Sequence, residues 1–270
     1  MNRLDETFAA AKKDGRKLLC PFLTAGYPTL EATPALLLAA QAGMNGTGII
    51  ELGIPFSDPV ADGPVIQESF THALAKGASV AKALACLAEA RKKGLTVPVM
   101  VMVTYSIVFK RGTREFATLC RESGADGLIL PDVPLEEAPA IAQAVRSTGL
   151  RTTFLVAPTT SPPRRQEIAR LCDGFVYYLS VSGITGERRA LPADIGPNIA
   201  ALRQATSTPI CVGFGISTPD QVREVTALAD GAIVGSALVR RIAAVQTQPV
   251  DRQAEAVQQF VAELAGGLKP

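Results

Sequence analysis

The sequence has one histidine, His72, and five cysteines that show no C-x-x-C spacing. Metal sites normally combine several imidazole or thiolate ligands, so neither a metal site nor a redox pair is indicated. A Ser–His couple is excluded as well, because His72 falls in a helical stretch and is expected to be a packing or surface residue. The dispersed thiols suit a cytoplasmic protein, in which cysteines stay reduced.

The sequence also has no large excess of positive or negative charge, and it has no long apolar run. The chain carries 27 basic and 25 acidic residues, for a net charge of +2, and the cations are scattered. A nucleic-acid-binding protein would concentrate them on one face. Apolar runs such as Val97–Val103 are too short to span a bilayer, and the amino terminus lacks the apolar core of a signal peptide. We therefore expect a cytoplasmic protein that binds neither nucleic acid nor membrane.

The predicted strands contain no lysine. Lys110 comes closest, in a predicted loop just beyond the third strand. A Schiff-base mechanism needs a desolvated lysine in the barrel and is therefore disfavoured. No nucleotide-binding P-loop pattern occurs either, which leaves proton transfer by carboxylates as the chemistry to look for.

Short β-branched runs alternate with helical stretches along the whole chain. Most of these runs are continuously apolar, as in parallel strands that are covered on both faces. The predicted strands are Leu18–Thr24, Gly48–Ile54, Val97–Tyr105, Gly127–Asp132, Thr152–Ala157, Phe175–Ser180, Pro209–Gly215 and Gly231–Gly235. At 270 residues this predicts a single (β/α)8 TIM barrel, of class α/β, that spans residues 1–270 as one domain. Extra helices are expected at the amino terminus and after the second strand. A doubly wound open sheet is the alternative.

Small residues mark the expected helix ends. Glycines follow several helical stretches, where a left-handed cap is least costly for glycine, and hydroxyl residues stand where helices should begin. The predicted caps are Gly43, Gly94, Gly124 and Gly149 at carboxyl ends and Ser79, Ser161 and Ser217 or Thr218 at amino ends.

Two carboxylates are the candidate catalytic groups. Glu51 lies inside an apolar strand, where burial raises a carboxyl pKa into the range useful for proton transfer. Asp62 lies in the long loop after that strand, so the two acids should occupy different environments and divide the roles of acid and ionised group. The alternatives are a buried acid paired to a nearby base or to backbone amides for Glu51, and turn chemistry, Asp before Gly, for Asp62.

Glycine-rich segments follow the last three strands and predict a phosphate site. Backbone amides at glycines, together with a helix amino terminus, bind anions at this end of a barrel. The segments are Ser182–Gly186, Gly213–Ser217 and Gly235–Ser236.

The stretch from Glu51 to Pro64, ELGIPFSDPVADGP, resembles the signature of the tryptophan synthase alpha chain family. The resemblance continues in order through Pro21–Gly26, Leu130–Pro134, Tyr177–Gly186 and Gly213–Ile216. It implies aldol-type cleavage of indole-3-glycerol phosphate to indole and glyceraldehyde 3-phosphate. It also implies that Glu51 moves protons at the indole carbon and the glycerol hydroxyl, and that Asp62 binds the indole N–H.

The resemblance further implies a set of substrate-binding residues. Backbone amides near the phosphate, aromatic rings around the indole and glycerol, and a threonine that braces Asp62 make up this set. They are Phe22, Tyr177, Thr185, Gly186, Phe214, Gly215, Gly235 and Ser236. Packing inside the barrel is the alternative for Phe22 and Phe214. Where some family members have a basic residue in the sixth loop, this chain has Val181.

By the same resemblance, the chain is expected to pair with a separate tryptophan synthase beta chain in an alpha2-beta2 heterotetramer. The loop at Pro55–Asp58, together with Pro134, would face that partner. Pyridoxal phosphate would belong to the beta chain, with no cofactor and no metal in this one. Three alternatives stay open: a stand-alone lyase that releases free indole, a barrel isomerase of another sugar phosphate, and a non-catalytic phosphate-binding barrel.

Overall fold

The structure is a computed structural model that describes residues 2–59, 62–179, 194–213 and 215–268. Within these residues eight parallel strands close into a barrel in sequence order. The strands are β1 Leu18–Thr24, β2 Ile50–Gly53, β3 Val99–Met102, β4 Gly127–Leu130, β5 Arg151–Val156, β6 Val176–Leu179, β7 Ile210–Gly213 and β8 Gly231–Val234. The predicted (β/α)8 barrel is confirmed, and the open-sheet alternative is wrong because β1 also pairs with β8.

Helices alternate with the strands around the outside of the barrel. In the described residues they are α1 Arg3–Lys13, α2 Thr33–Gly43, α3 Pro64–Ala75, α4 Val80–Lys92, α5 Tyr105–Arg111, α6 Thr113–Glu122, α7 Ala138–Arg146, α8 Pro162–Leu171, α9 Ile195–Ala205, α10 Pro219–Leu228, α11 Ser236–Ala243 and α12 Val250–Ala265. Helices α1 and α3 are the expected extra ones. A 3-10 turn, Gly266–Leu268, follows α12.

The third strand is shorter than the prediction Val97–Tyr105, because its last predicted residue begins α5. The Asp132 carboxylate, from the segment after β4, accepts hydrogen bonds from the Tyr105 amide at 2.8 Å and from the Thr104 hydroxyl. A carboxylate at a helix amino terminus satisfies unpaired amides there. The prediction that Lys110 lies in a loop is therefore wrong, since it lies in α5.

The predicted caps have mixed outcomes. Positive φ angles confirm Gly94, Gly124 and Gly149. Gly43 instead ends α2 because α12 passes close by. A Cβ atom there would lie 2.7 Å from the Gln258 carbonyl oxygen. Among the amino-terminal caps, Ser79 and Thr218 accept amide hydrogen bonds as predicted, whereas Ser161 makes no side-chain cap.

Two apolar layers hold the barrel together. The larger one fills the space between strands and helices, and the smaller one fills the barrel interior. The interior layer comprises Leu4, Ala11, Leu18, Cys20, Ile49, Met100, Ile129, Phe175, Cys211 and Ile233. Helix α1 closes its lower end with Leu4 and Ala11, so the upper, carboxyl-terminal end remains as the place for a site.

No helix in the described parts of the chain combines the length and the apolar character needed to cross a bilayer.

Candidate active site

Glu51 lies in β2 with its side chain inside the barrel. It is 1% exposed, and neither carboxylate oxygen has a hydrogen-bond partner among the described residues. Burial is the main cause that raises the pKa of Cys20 on β1 and of Tyr177 on β6. The negative charge of Glu51 is the second cause for both groups. Among the described residues no cation lies within 4 Å of Glu51, so they provide no partner for the buried pairing considered from the sequence.

Burial, followed by the negative charge of Asp62, raises the pKa of Glu51 to about 8. A carboxyl group without hydrogen-bond partners in an apolar interior is far more stable in its neutral form. Glu51 is therefore protonated at neutral pH and can act as an acid toward a substrate above it.

Asp62 lies one residue before the cap of α3, at the end of the loop that follows β2. Its backbone carbonyl accepts a hydrogen bond from the Gln67 side chain at 2.8 Å, which fixes this end of the loop. Removal from water raises the pKa of Asp62 to about 6. The two carboxyl groups thus titrate in different ranges, and at neutral pH Asp62 is mostly ionised while Glu51 is mostly protonated.

A cavity of about 290 Å³ opens at the carboxyl-terminal face beside Asp62. Its walls include Phe56, Phe70 and Met102, and Asp132 lines its rim. A mostly apolar cavity with a few carboxylates is suited to a flat apolar ligand that carries a hydrogen-bond donor. Asp132 was not predicted to line this cavity, although a polar residue at the carboxyl end of a predicted barrel strand is the signal that could have found it.

Phe22 lies near the carboxyl end of β1, and Tyr177 lies in β6. Phe22 is the register partner of Glu51, and its ring packs against Phe70 with centroids 6.5 Å apart. Tyr177 fills the space beside Gly213, where a Cβ atom would lie 2.9 Å from the ring. These two rings and Glu51 therefore share one end of the barrel interior.

The predicted anion end lies at the carboxyl ends of β7 and β8. Gly215 has a φ of +70°, which favours glycine, and follows β7 by two residues. Gly235 follows β8 and caps α11, whose first residue, Ser236, is buried. A Cβ atom at Gly235 would lie 3.9 Å from Phe22, so this end adjoins the aromatic wall. Thr185, Gly186, Phe214 and Val181 lie outside the described residues.

No group of three or more histidine, cysteine, aspartate or glutamate side chains in the described ranges could hold a metal ion. The barrel therefore presents two carboxyl groups of different pKa, of which Asp62 lines an apolar cavity, with glycines and a helix terminus after β7 and β8. These features define the class of protein: an α/β barrel with a candidate acid–base site.

Comparison with known proteins specifies the class further. The family model described as Tryptophan synthase alpha chain matches residues 8–268. A tryptophan synthase alpha chain of Laribacter hongkongensis is 44% identical over 252 residues, which cover 93% of this chain and 95% of the relative. One of Geobacter sulfurreducens is 45% identical over 241 residues, which cover 89% and 90%.

Solved structures agree with this relationship. The crystal structure of tryptophan synthase subunit alpha from Legionella pneumophila superposes with a TM-score of 0.88 at 34% identity, covering 99% of this chain and 98% of that one. Tryptophan synthase of Mycobacterium tuberculosis gives 0.88 at 31% identity, covering 100% and 99%. The chain belongs to the tryptophan synthase alpha chain family, a family of lyases.

Proposed function

We propose that this chain cleaves indole-3-glycerol phosphate to indole and glyceraldehyde 3-phosphate, with Glu51 and Asp62 as its catalytic residues. The observation that carries the proposal is the protonated, unpartnered carboxyl group of Glu51 inside a barrel whose mouth holds the more acidic Asp62. Membership of the tryptophan synthase alpha chain family supplies the substrate.

The reaction needs one proton carrier and one anion. Glu51 donates its proton to the indole carbon that bears the glycerol chain, and the ring nitrogen becomes positively charged. Ionised Asp62 accepts a hydrogen bond from the ring N–H and stabilises that charge. The Glu51 carboxylate then removes the proton of the adjacent glycerol hydroxyl. The carbon–carbon bond breaks, its electrons return to the ring, and an aldehyde forms, so that Glu51 ends protonated as it began.

The substrate's two ends are assigned to the two sides of the mouth. Phe22 and Tyr177 would line the indole and glycerol positions. The amides at Gly215 and Gly235, with Ser236 at the start of α11, would bind the phosphate, helped by the partial positive charge of the helix terminus. Thr185, Gly186 and Phe214 complete this proposed set from the sequence alone.

We also assign a beta chain of tryptophan synthase as partner, in an alpha2-beta2 assembly in the cytoplasm. Ser57 and Asp58 are exposed on the face that bears the site, and so is Pro134, whereas Pro55 is buried. Phe109 in α5 is 72% exposed. Pyridoxal phosphate would be held by the beta chain and would take no part in the cleavage.

The direct test is to supply indole-3-glycerol phosphate and measure indole, with and without an added beta chain. Glu51→Gln and Asp62→Asn should each fold and lose activity by about 10²-fold or more. Asp58→Asn is the matched control, because Asp58 is exposed and lies four residues away in the same loop; it should keep normal cleavage without the beta chain. Turnover near the wild-type level in either site variant would remove that residue from the mechanism.

A further inference from the structure

Arg165 in α8 is a buried cation without an acidic partner. Its side chain belongs to a residue that is 8% exposed, and no carboxylate lies within 4 Å of it among the described residues. Its Nε atom has no hydrogen-bond partner in the part of the chain that the structure describes. Burying a guanidinium in this way is costly, whereas its neighbour Arg164 is exposed and pairs with Glu136 at 2.8 Å. The hydrogen bonds that Arg165 does make must therefore offset the cost of its burial.

The contacts of Arg165 all lead to the face of the barrel that carries the site. One guanidinium nitrogen donates to the Asn198 side-chain oxygen in α9 at 2.6 Å. The other donates to the backbone carbonyls of Pro158 and Thr160, both at 3.2 Å. Those carbonyls belong to the segment between β5 and α8. The guanidinium thus connects two segments that begin at the carboxyl ends of neighbouring strands.

Asn198 extends this connection to β6. Because its oxygen accepts from Arg165, its amide nitrogen must be the donor on the other side. That nitrogen donates to the Tyr178 hydroxyl at 2.9 Å and to the Asp194 carboxylate at 3.1 Å. Tyr178 is fully buried in the layer between strands and helices.

Successive residues of a strand point to opposite faces. Tyr178 points outward to Asn198, so Tyr177 points inward, where its ring fills the space beside Gly213 and its hydroxyl senses the charges of Glu51 and Asp62. A shift of β6 on its outer side must move Tyr177 on its inner side.

We propose that Arg165 is a positioning residue, which acts through Asn198 and Tyr178 to hold β6 so that the Tyr177 ring stands correctly beside Glu51. This inference rests on the proposed cleavage reaction. It assigns Arg165 an effect on the chemical step, because Tyr177 adjoins the proton carrier while Gly235 and Ser236 lie on other elements. A purely structural link between α8 and α9 would affect unfolding and leave turnover of the folded enzyme unchanged.

Steady-state cleavage of indole-3-glycerol phosphate at 25 °C, with a thermal melt of each variant, tests this. Arg165→Met should lower kcat about tenfold or more and change KM less than about twofold. Arg165→Lys should recover part of kcat, because an ammonium can still reach one of the acceptors. Arg164→Met is the matched control and should keep wild-type kcat. An unchanged kcat in folded Arg165→Met would overturn the proposal, as would a change confined to KM.

Tyr178→Phe keeps the proposal testable should Arg165→Met fail to fold, since it removes only one oxygen. We expect kcat to fall about threefold with KM unchanged, as for one lost hydrogen bond. The double variant should be no slower than Arg165→Met, because both changes break the same route. The proposed connection through Asn198 and Tyr178 is contradicted if the two substitutions lower kcat by independent factors that multiply in the double variant. An unaffected kcat in Tyr178→Phe also contradicts it. A wild-type chain that releases no indole would instead reject the proposed function.

Discussion

Phe22 on β1 is the register partner of Glu51 on β2, and the two side chains extend side by side at the mouth of the barrel. Both are buried, at 3% and 1% exposure. The Phe22 ring reaches Gly53, where a Cβ atom would lie 2.5 Å from it, and so covers the face of β2 on which Glu51 lies. Because burial is the main cause of the high pKa of Glu51, Phe22 should help to set that pKa.

Phe22→Leu should let water reach Glu51 and lower its pKa. The alkaline limb of the pH–rate profile of indole release should then move to lower pH, with about 1–2 kcal/mol lost in stability. Phe116→Leu is the matched control. Phe116 is fully buried in α6, so its loss should cost similar stability and leave the limb in place. A profile of Phe22→Leu that superimposes on the wild type would show that the ring does not shield Glu51.

The wild-type profile itself should be bell-shaped. Activity needs Asp62 ionised and Glu51 protonated, so the rate should rise as pH passes about 6 and fall as it passes about 8. The two groups interact, so these limbs belong to the pair. The residual activity of the Asp62→Asn variant should show no acid limb. A rate that keeps rising above pH 9 would mean that protonated Glu51 is not the reactive form.

How far the sequence predicts this site depends on the kind of residue. Glu51 could be predicted because a carboxylate among apolar strand residues is costly wherever the strand lies. The glycines after the strands could also be predicted, because a glycine at such a position is itself a sign that the backbone can be approached closely. Arg164 and Arg165 could not be distinguished, because both belong to a polar helix. Only the packing of α8 against α9 decides which one is buried.

The fold shows the same division. Strand β1 could be predicted to the residue, since its apolar run ends at clear turn signals. The start of helix α5 could not be predicted from the β-branched run that follows β3, because the residue that caps the helix, Asp132, comes from a different loop. Gly43 was read as a helix cap because nothing near it in sequence reveals that α12 lies against it.

Glu51 should also make the stability of the protein depend on pH. In the unfolded chain its pKa is near 4.5, and in the folded protein it is about 8. Between these values the unfolded state loses the proton first, so folding becomes less favourable as pH rises, and the effect levels off above pH 8. Each pKa unit corresponds to about 1.4 kcal/mol, so the cost can reach about 5 kcal/mol.

Glu51→Gln removes this ionisation and keeps the shape of the side chain. Urea denaturation at pH 5 and pH 8 should show the variant gaining on the wild type by a few kcal/mol at the higher pH. The control is Glu263→Gln, which should show no such gain because Glu263 is an exposed residue of α12. Equal differences at both pH values would mean that Glu51 ionises normally in the folded protein.

At the lower, amino-terminal end of the barrel, a substitution should lower the stability of the protein and leave catalysis unchanged. Asp126 is fully buried, pairs with Arg91 at 2.8 Å and Arg3 at 3.0 Å, and accepts the Val99 amide. Asp126→Asn keeps an acceptor for that amide and leaves the Arg91 guanidinium, which is only 10% exposed, without its counter-charge.

We expect Asp126→Asn to lose roughly 3–5 kcal/mol of unfolding free energy, because a buried charge loses its partner. Its kcat at 15 °C, measured per folded molecule, should match the wild type, since Asp126 precedes β4 at the end of the barrel opposite the site. Asp173→Asn, whose ion pair with Arg146 is half exposed, should lose less than about 1 kcal/mol from that pair. A lower kcat in folded Asp126→Asn would mean that this network also supports the catalytic end.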